Sequence, residues 1–231
     1  MATFLFVPGA WLGGWCWRDV ARPLRAAGHT VVTATLTGLG ERAHLVTPQI
    51  GLDTHVADIV GLFRYRELED VTLIGHSYGG TVITAVAEHI PERIHRLVYL
   101  DASIPLDGKS NNDVIGIEMA GRLRDSAIEG WLVPPFSNVV GALIDESLRS
   151  WVAARLRHHP LQAFEDPVHL GSPEAAALPR AFIRTTSSPL YDRLLAYARA
   201  EGWYCREIGG GHYSMFTQPG VVASALMELS T

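Results

Sequence analysis

Leu73–Val82 reads Leu-Ile-Gly-His-Ser-Tyr-Gly-Gly-Thr-Val, and the reading of this stretch decides the fold. The run before it, VTLIG from Val71, is continuously apolar, as in a strand buried on both faces. The run after it, GGTVITAVAEHI, has the pattern of a helix. Ser77 therefore sits in a strand-to-helix turn, inside a Gly-x-Ser-x-Gly pattern. A sharp turn of this kind pushes the serine side chain out at the C-terminal edge of the sheet. Gly75 and Gly79 must be small for strand and helix to close on each other. The helix N-terminus offers the Tyr78 N–H and a positive dipole end to a developing oxyanion. An ordinary glycine-rich turn is the competing interpretation, and the flanking strand and helix argue against it. Ser77 is the candidate nucleophile.

Working outward, strand-like runs alternate with helical ones. TFLFV (Thr3–Val7) is a buried strand, followed by the helical WRDVARPLRAAGH. Pro23 is expected to kink or restart that helix, and Gly28 to stop it. TVVTA (Thr30–Ala34) is strand-like. After a polar loop, Asp53 is expected to N-cap a helix with Val56, Ile59, Val60 and Phe63 on one face. RLVYLD (Arg96–Asp101) is the next strand. From about Ile104 to Leu178 no strong strand is visible, and helical patterns sit near Asp113–Arg124 and Ile144–His158. Alternation then resumes with strand RAFIRT, helix LYDRLLAYARAEG, strand WYCREI and a last helix from about Gly220 to Leu229. This order implies an α/β fold: a mostly parallel central sheet flanked by helices, with a helical insertion. One domain spans 1–231, with its core in 1–103 and 180–231 and the insertion at about 104–179.

The composition narrows the function. The chain has 231 residues, 48% of them hydrophobic, enough for a sizeable core. A net charge of −5 gives no basic footprint for nucleic acid, and polybasic runs that would hold a membrane are absent. Cys16 and Cys205 are too few for a disulfide framework. The apolar N-terminal run lacks a charged flank and a cleavage site, so a soluble, cytoplasmic protein is expected.

A serine nucleophile needs a base and an oxyanion hole. Of ten histidines, His212 follows the last strand within GGGHYSM, where a glycine loop can bring an imidazole over Ser77. His76 is expected to point away from the serine and to pack or hydrogen-bond. His158 and His159 are expected to end a helix, and His29 and His95 to lie beside surface turns. The loop VPGAWLGGWCW after the first strand places the Ala10 N–H where it can join Tyr78 as the second oxyanion donor.

VPGAWLGGWCW, GHSYGG and GGGHYSMFTQP, in that order, resemble the α/β-hydrolase superfamily, and within it the branch of plant methylesterases, hydroxynitrile lyases and their bacterial esterase relatives. The likeness covers Thr3–Ala102 and Arg180–Leu229 and is weak between them. It implies a Ser–His–acid triad, a two-N–H oxyanion hole and a helical cap over an apolar pocket. Pro8-Gly9 stands where relatives have His-Gly. The acid is the larger departure. Most relatives carry an aspartate after the penultimate strand, where this chain reads RTTSSPLYDR, with Thr185, Thr186, Ser187 and Ser188 in its place. Asp192 falls in the following helix. Asp101 ends RLVYLD at the same sheet edge, and some members of the superfamily place their acid there. Asp101 is therefore the candidate acid, and a cap for the segment after it is the competing interpretation.

The resulting expectation is a serine esterase that cleaves a small or medium apolar methyl or aryl ester through an acyl-enzyme, without metal or organic cofactor. Trp131, Phe136 and Trp151 are candidate pocket residues in the cap. The partner is a small-molecule ester, and a homodimer is left open. Two alternatives stand: a hydroxynitrile lyase using the same triad, and a weakly catalytic ligand receptor of the same fold. One lyase group of the branch uses a lysine after the catalytic histidine and a threonine in the oxyanion loop, where this chain has Tyr213 and Ala10.

Overall fold

The anticipated strands β1 (Thr3–Val7), β2 (Thr30–Thr33), β3 (Val71–Ser77), β4 (Ile94–Ala102), β7 (Arg180–Thr185) and β8 (Tyr204–Ile208) form one sheet in a computed structural model of the chain. Their order is β2-β1-β3-β4-β7-β8, and every adjacent pair is parallel. The structure describes all residues except 142, 144, 188–190, 230 and 231. Phe4–Val7 and Val71–His76 are buried throughout, which requires cover on both faces of the sheet. That cover comes from α1 (Arg18–Ala26) packed on α12 (Pro219–Met227), and from α2 (Leu52–Tyr65) packed on α3 (Gly79–Ala87). α10 (Asp192–Ala200) packs on β7 and β8, and a short α11 (Ser214–Thr217) precedes α12.

Two local expectations are corrected here. α1 runs as one helix through Pro23, so the proline does not restart it. The N–H that proline lacks would have addressed Asp19, so only one bond of the first turn is missing. Asp53 is not the N-cap of α2; it sits inside the first turn, and Gly51 occupies the cap position. The Asp166 carboxylate, from far along the chain, accepts the Leu52 N–H at 2.8 Å and does the capping instead.

Among the described residues between β4 and β7 lie six short helices and two short strands: α4 (Asn111–Ile115), α5 (Ile117–Ser126), β5 (Leu132–Val133), α6 (Asn138–Gly141), α7 (Glu146–Ala153), β6 (His159–Pro160), α8 (Gln162–Glu165) and α9 (Pro173–Ala177). β5 and β6 pair antiparallel, apart from the main sheet. The helix expected over Asp113–Arg124 is broken at Gly116, where φ is +90°. The helix expected to reach His158 ends at Ala153, so His159 lies in β6. Ile144, Ser188 and Leu190, which the sequence reading placed in a helix, at the usual acid position and in a helix, lie outside the described residues. Among the described residues no helix is long and apolar enough to cross a membrane.

Candidate active site

The site forms where β3 turns into α3. Ser77 takes φ +55°, a left-handed conformation that a non-glycine residue adopts only when its surroundings enforce it. The enforcement is steric. A Cβ on Gly75 would stand 2.4 Å from the Gly79 carbonyl oxygen, so strand and helix can close this tightly only over a glycine. The β1 loop approaches as closely. A Cβ on Gly9 would meet the Ser77 Cβ and the His76 Nδ1, each at 2.8 Å. That contact delivers Ala10 to the turn. Ala10 and Tyr78 line the same cavity as Ser77 and His212, and neither backbone N–H has an acceptor among the described residues.

Asp101 reaches the site through a β-bulge. His76 pairs with Leu100, but Ser77 pairs with Ala102, so Asp101 is an extra residue on β4. It has φ +44°. Such a bulge re-aims a side chain, and here it turns the fully buried carboxylate toward the last loop. Asp101 Oδ2 lies 2.7 Å from His212 Nδ1, and Oδ1 accepts the Thr185 N–H at 3.1 Å. The end of β7, where relatives carry their acid, thus holds this carboxylate with its backbone. Asp192 is far less constrained: it is exposed in the first turn of α10 and paired with Arg184.

His212 is held from behind by His76, whose Nε2–H donates to the His212 carbonyl at 2.8 Å. The two rings stand 4.5 Å apart. His76 thus packs and hydrogen-bonds, as its place in the turn implied. The Tyr191 ring lies tilted beside the His212 ring, 5.7 Å between centroids. Burial pushes the Tyr191 phenol up to about 12, against the pull of hydrogen bonds with the Ser77 and Ser103 hydroxyls.

A second layer supports Tyr78 and the loop that carries Ala10. The Tyr78 hydroxyl donates to His55 Nδ1 at 2.8 Å, because His55 Nε2–H is used on the Thr37 carbonyl at 3.1 Å. Trp11, at φ +65°, gives its backbone N–H to His159 Nδ1 (3.4 Å) and its indole N–H to the Val133 carbonyl (3.2 Å). Its own carbonyl accepts the Arg157 N–H at 3.1 Å. His159, expected at a helix end, is instead fully buried against Tyr78 and Phe164.

These buried histidines set a stability prediction. Burial holds His55 down at about 4, and holds His76 and His159 well below 6.5. In the unfolded chain they protonate near 6.5. The unfolded state therefore binds more protons, and stability falls as the pH drops below about 6.5. His55 alone accounts for a loss of roughly 3 kcal/mol once the pH reaches its folded value. Thermal midpoints measured from pH 7.5 down to 5, before carboxylates protonate, should decline steadily; a flat series contradicts the neutral buried state.

The cavity above Ser77 measures about 90 Å³ and is walled mainly by Trp11, Ile115, Met119, Leu123, Phe136 and Phe164. Of the three aromatics expected to line it, Phe136 does. Trp131 and Trp151 do not. Trp151 packs edge-on to Trp15 between the guanidinium groups of Arg18 and Arg155, and the Trp131 indole N–H turns to Glu129. Among the described residues no cluster of His, Cys, Asp or Glu could hold a metal ion.

Sequence reasoning missed His55, His159, Asn111 and Tyr191. His55 was legible: with Leu52, Val56, Ile59 and Phe63 it completes the buried face of α2. His159 and Asn111 sit on short elements that carry no periodic signal, and Tyr191 stands at the N-cap of α10, ahead of that helix's periodic pattern.

This fold, with a serine on a strained strand-to-helix turn and a histidine–carboxylate pair beside it, defines a hydrolase class, and residues 4–225 match the alpha/beta hydrolase family. The chain belongs to that family. It is 37% identical to a carbendazim hydrolyzing esterase of Nocardioides sp., over 99% of this chain and 100% of that protein. It is 28% identical to the pFDCC methylesterase MES16 of Arabidopsis thaliana, over 97% and 93% of the two chains. Among solved structures it resembles an extracellular alpha/beta-hydrolase from a Paenibacillus species, with TM-score 0.87 and 23% identity over 100% of this chain and 99% of that one.

Proposed function

We propose that the chain is a serine carboxylic ester hydrolase that works through an acyl-enzyme, with Ser77 as nucleophile, His212 as base and Asp101 as acid. The observation that carries this reading is the 2.7 Å contact between Asp101 and His212 Nδ1, at a cavity that Ser77 also lines. With Nδ1–H held by the carboxylate, His212 presents Nε2 as the proton acceptor. Ser77 Oγ attacks the ester carbon and gives its proton to Nε2. The carbonyl oxygen, now negative, takes the Ala10 and Tyr78 N–H groups. Collapse of the tetrahedral intermediate expels the alcohol, protonated by the imidazolium. Water, activated by the same imidazole, then releases the acid.

The substrate is a small or medium apolar ester, with methyl and aryl esters as the leading classes. Two observations support this. The walls are apolar and partly aromatic, with Trp11, Phe136 and Phe164 among them, which suits a methyl or aryl ester. The methylesterase and carbendazim esterase names among the relatives agree in class. Residues 104–179 act as the cap over this cavity.

Tyr213 weakens the lyase alternative. It is buried, and a phenol, unlike a lysine ammonium, supplies no cation beside His212. A panel of methyl and aryl esters with mandelonitrile tests the choice. Acid release from esters and no cyanide release from mandelonitrile is the expected result. Cyanide release without ester turnover would overturn it, and binding without either reaction would favour the receptor.

A further inference from the structure

One wall of the cavity is polar, and the reaction proposed above does not use it. Asn111, at the start of α4, is 97% buried by its 3% exposure, yet it lines the cavity with Ser77. Its Oδ1 accepts two hydroxyls, Ser103 Oγ at 2.8 Å and Thr81 Oγ1 at 3.3 Å. A carbonyl oxygen has two lone pairs, so both are taken. The amide nitrogen has no acceptor among the described residues, and it is not sealed from the cavity as both polar side-chain atoms of its neighbour Asn112 are. The opposite amide orientation is the worse one. It would leave the hydroxyl of Thr81, fully buried in α3, without an acceptor among the described residues. Thr81 and Ser103 therefore pin the oxygen, and the NH₂ group faces the cavity.

A buried donor facing an apolar cavity costs free energy unless a ligand satisfies it. We propose that Asn111 is a specificity-determining residue that donates a hydrogen bond to an acceptor on the substrate. The preferred substrates are then esters whose cavity-filling half carries a ring nitrogen, keto or ether oxygen, rather than pure hydrocarbon. In a methyl ester only the acyl half is large enough to fill the cavity, so the acceptor belongs on the acyl side. This inference rests on the ester hydrolase reading and narrows its substrate class.

The test compares methyl pyridine-2-carboxylate and methyl pyridine-3-carboxylate with methyl benzoate, which have nearly the same shape. The readout is the ratio of kcat/KM, pyridine ester over benzoate, divided by the same ratio for hydroxide-catalysed hydrolysis to remove intrinsic reactivity. The wild-type ratio should exceed one for at least one pyridine isomer, and Asn111→Leu should lower it by about 10-fold or more. Asn111→Asp, assayed at a pH high enough to ionise its carboxyl, keeps the two hydroxyl contacts and replaces the donor with an acceptor, so it carries the test if the leucine variant fails to fold; its ratio should fall at least as far. A ratio that stays the same in the folded variants, even when both rates drop together, overturns the proposal. The same ester pairs are titrated calorimetrically into Ser77→Ala protein with and without Asn111→Asp. This reads the contact without turnover, so a failed esterase reading and a failed Asn111 contact give different results. Loss of the pyridine preference in binding supports the contact, and an absent preference in the Ser77→Ala parent overturns it.

Discussion

Ser77→Ala is expected to reduce ester turnover by about 10⁴-fold or more while leaving the protein folded, as triad knockouts do elsewhere. In the proposed mechanism the loss is large because the side chain removed is the one that forms the covalent bond, and His212 and the two N–H donors are left with no other nucleophile to serve. The fold should survive because the turn is enforced by Gly75 and Gly9, whose close contacts are with backbone and with neighbouring side chains. Alanine meets the same φ of +55° and the same crowding without adding an atom. Steady-state kinetics and a thermal melt of the purified variant check both halves. Retention of a tenth of the wild-type turnover would exclude Ser77 as nucleophile.

Asp101→Asn should lower kcat by at least about 10²-fold, with KM changed much less. The structure gives the reason. Oδ1 already accepts the Thr185 N–H, so an asparagine must keep its oxygen there and turn its NH₂ toward His212. The imidazole is then forced to accept at Nδ1 and carry its proton on Nε2, the nitrogen that has to take the proton from Ser77. The imidazolium also loses its counter-charge. Asp192→Asn should change little, because that carboxylate is exposed on α10 and occupied by Arg184. A dead Asp192→Asn beside an active Asp101→Asn would move the acid back to the end of β7.

The parts of this arrangement that were legible in the sequence depend on local pattern. Ser77 could be read because a strand and a helix flank it directly, and His212 because a glycine loop follows the last strand. Asp101 could be placed at the right edge of the sheet from its strand alone. What aims it was hidden: the bulge that makes Asp101 an extra residue is a register between β3 and β4, and single-strand patterns carry no register. The same limit explains the capping of α2. Asp53 had the right type and spacing, but Asp166 arrives from beyond α8, and no local rule finds it. The segment between β4 and β7 was least legible, since helices of four or five residues are too short to show an amphipathic period. There the tryptophans misled. Trp151 was taken for a pocket wall, yet two arginines hold it against Trp15.

Trp11 carries a consequence for protein engineering. Its backbone N–H, carbonyl and indole N–H all find their partners in the stretch from Val133 to His159, while its neighbour Ala10 lines the cavity beside Ser77. Residues 104–179, the proposed cap, are therefore not an interchangeable module. Grafting another homologue's segment here to alter selectivity would also replace His159, the side-chain anchor of the loop beside Ser77, and could shift the two backbone anchors at Val133 and Arg157. A transplant that hopes to keep its rate has to carry His159 and hold the backbone path at Val133 and Arg157, or bring Trp11's counterpart from the donor together with the segment.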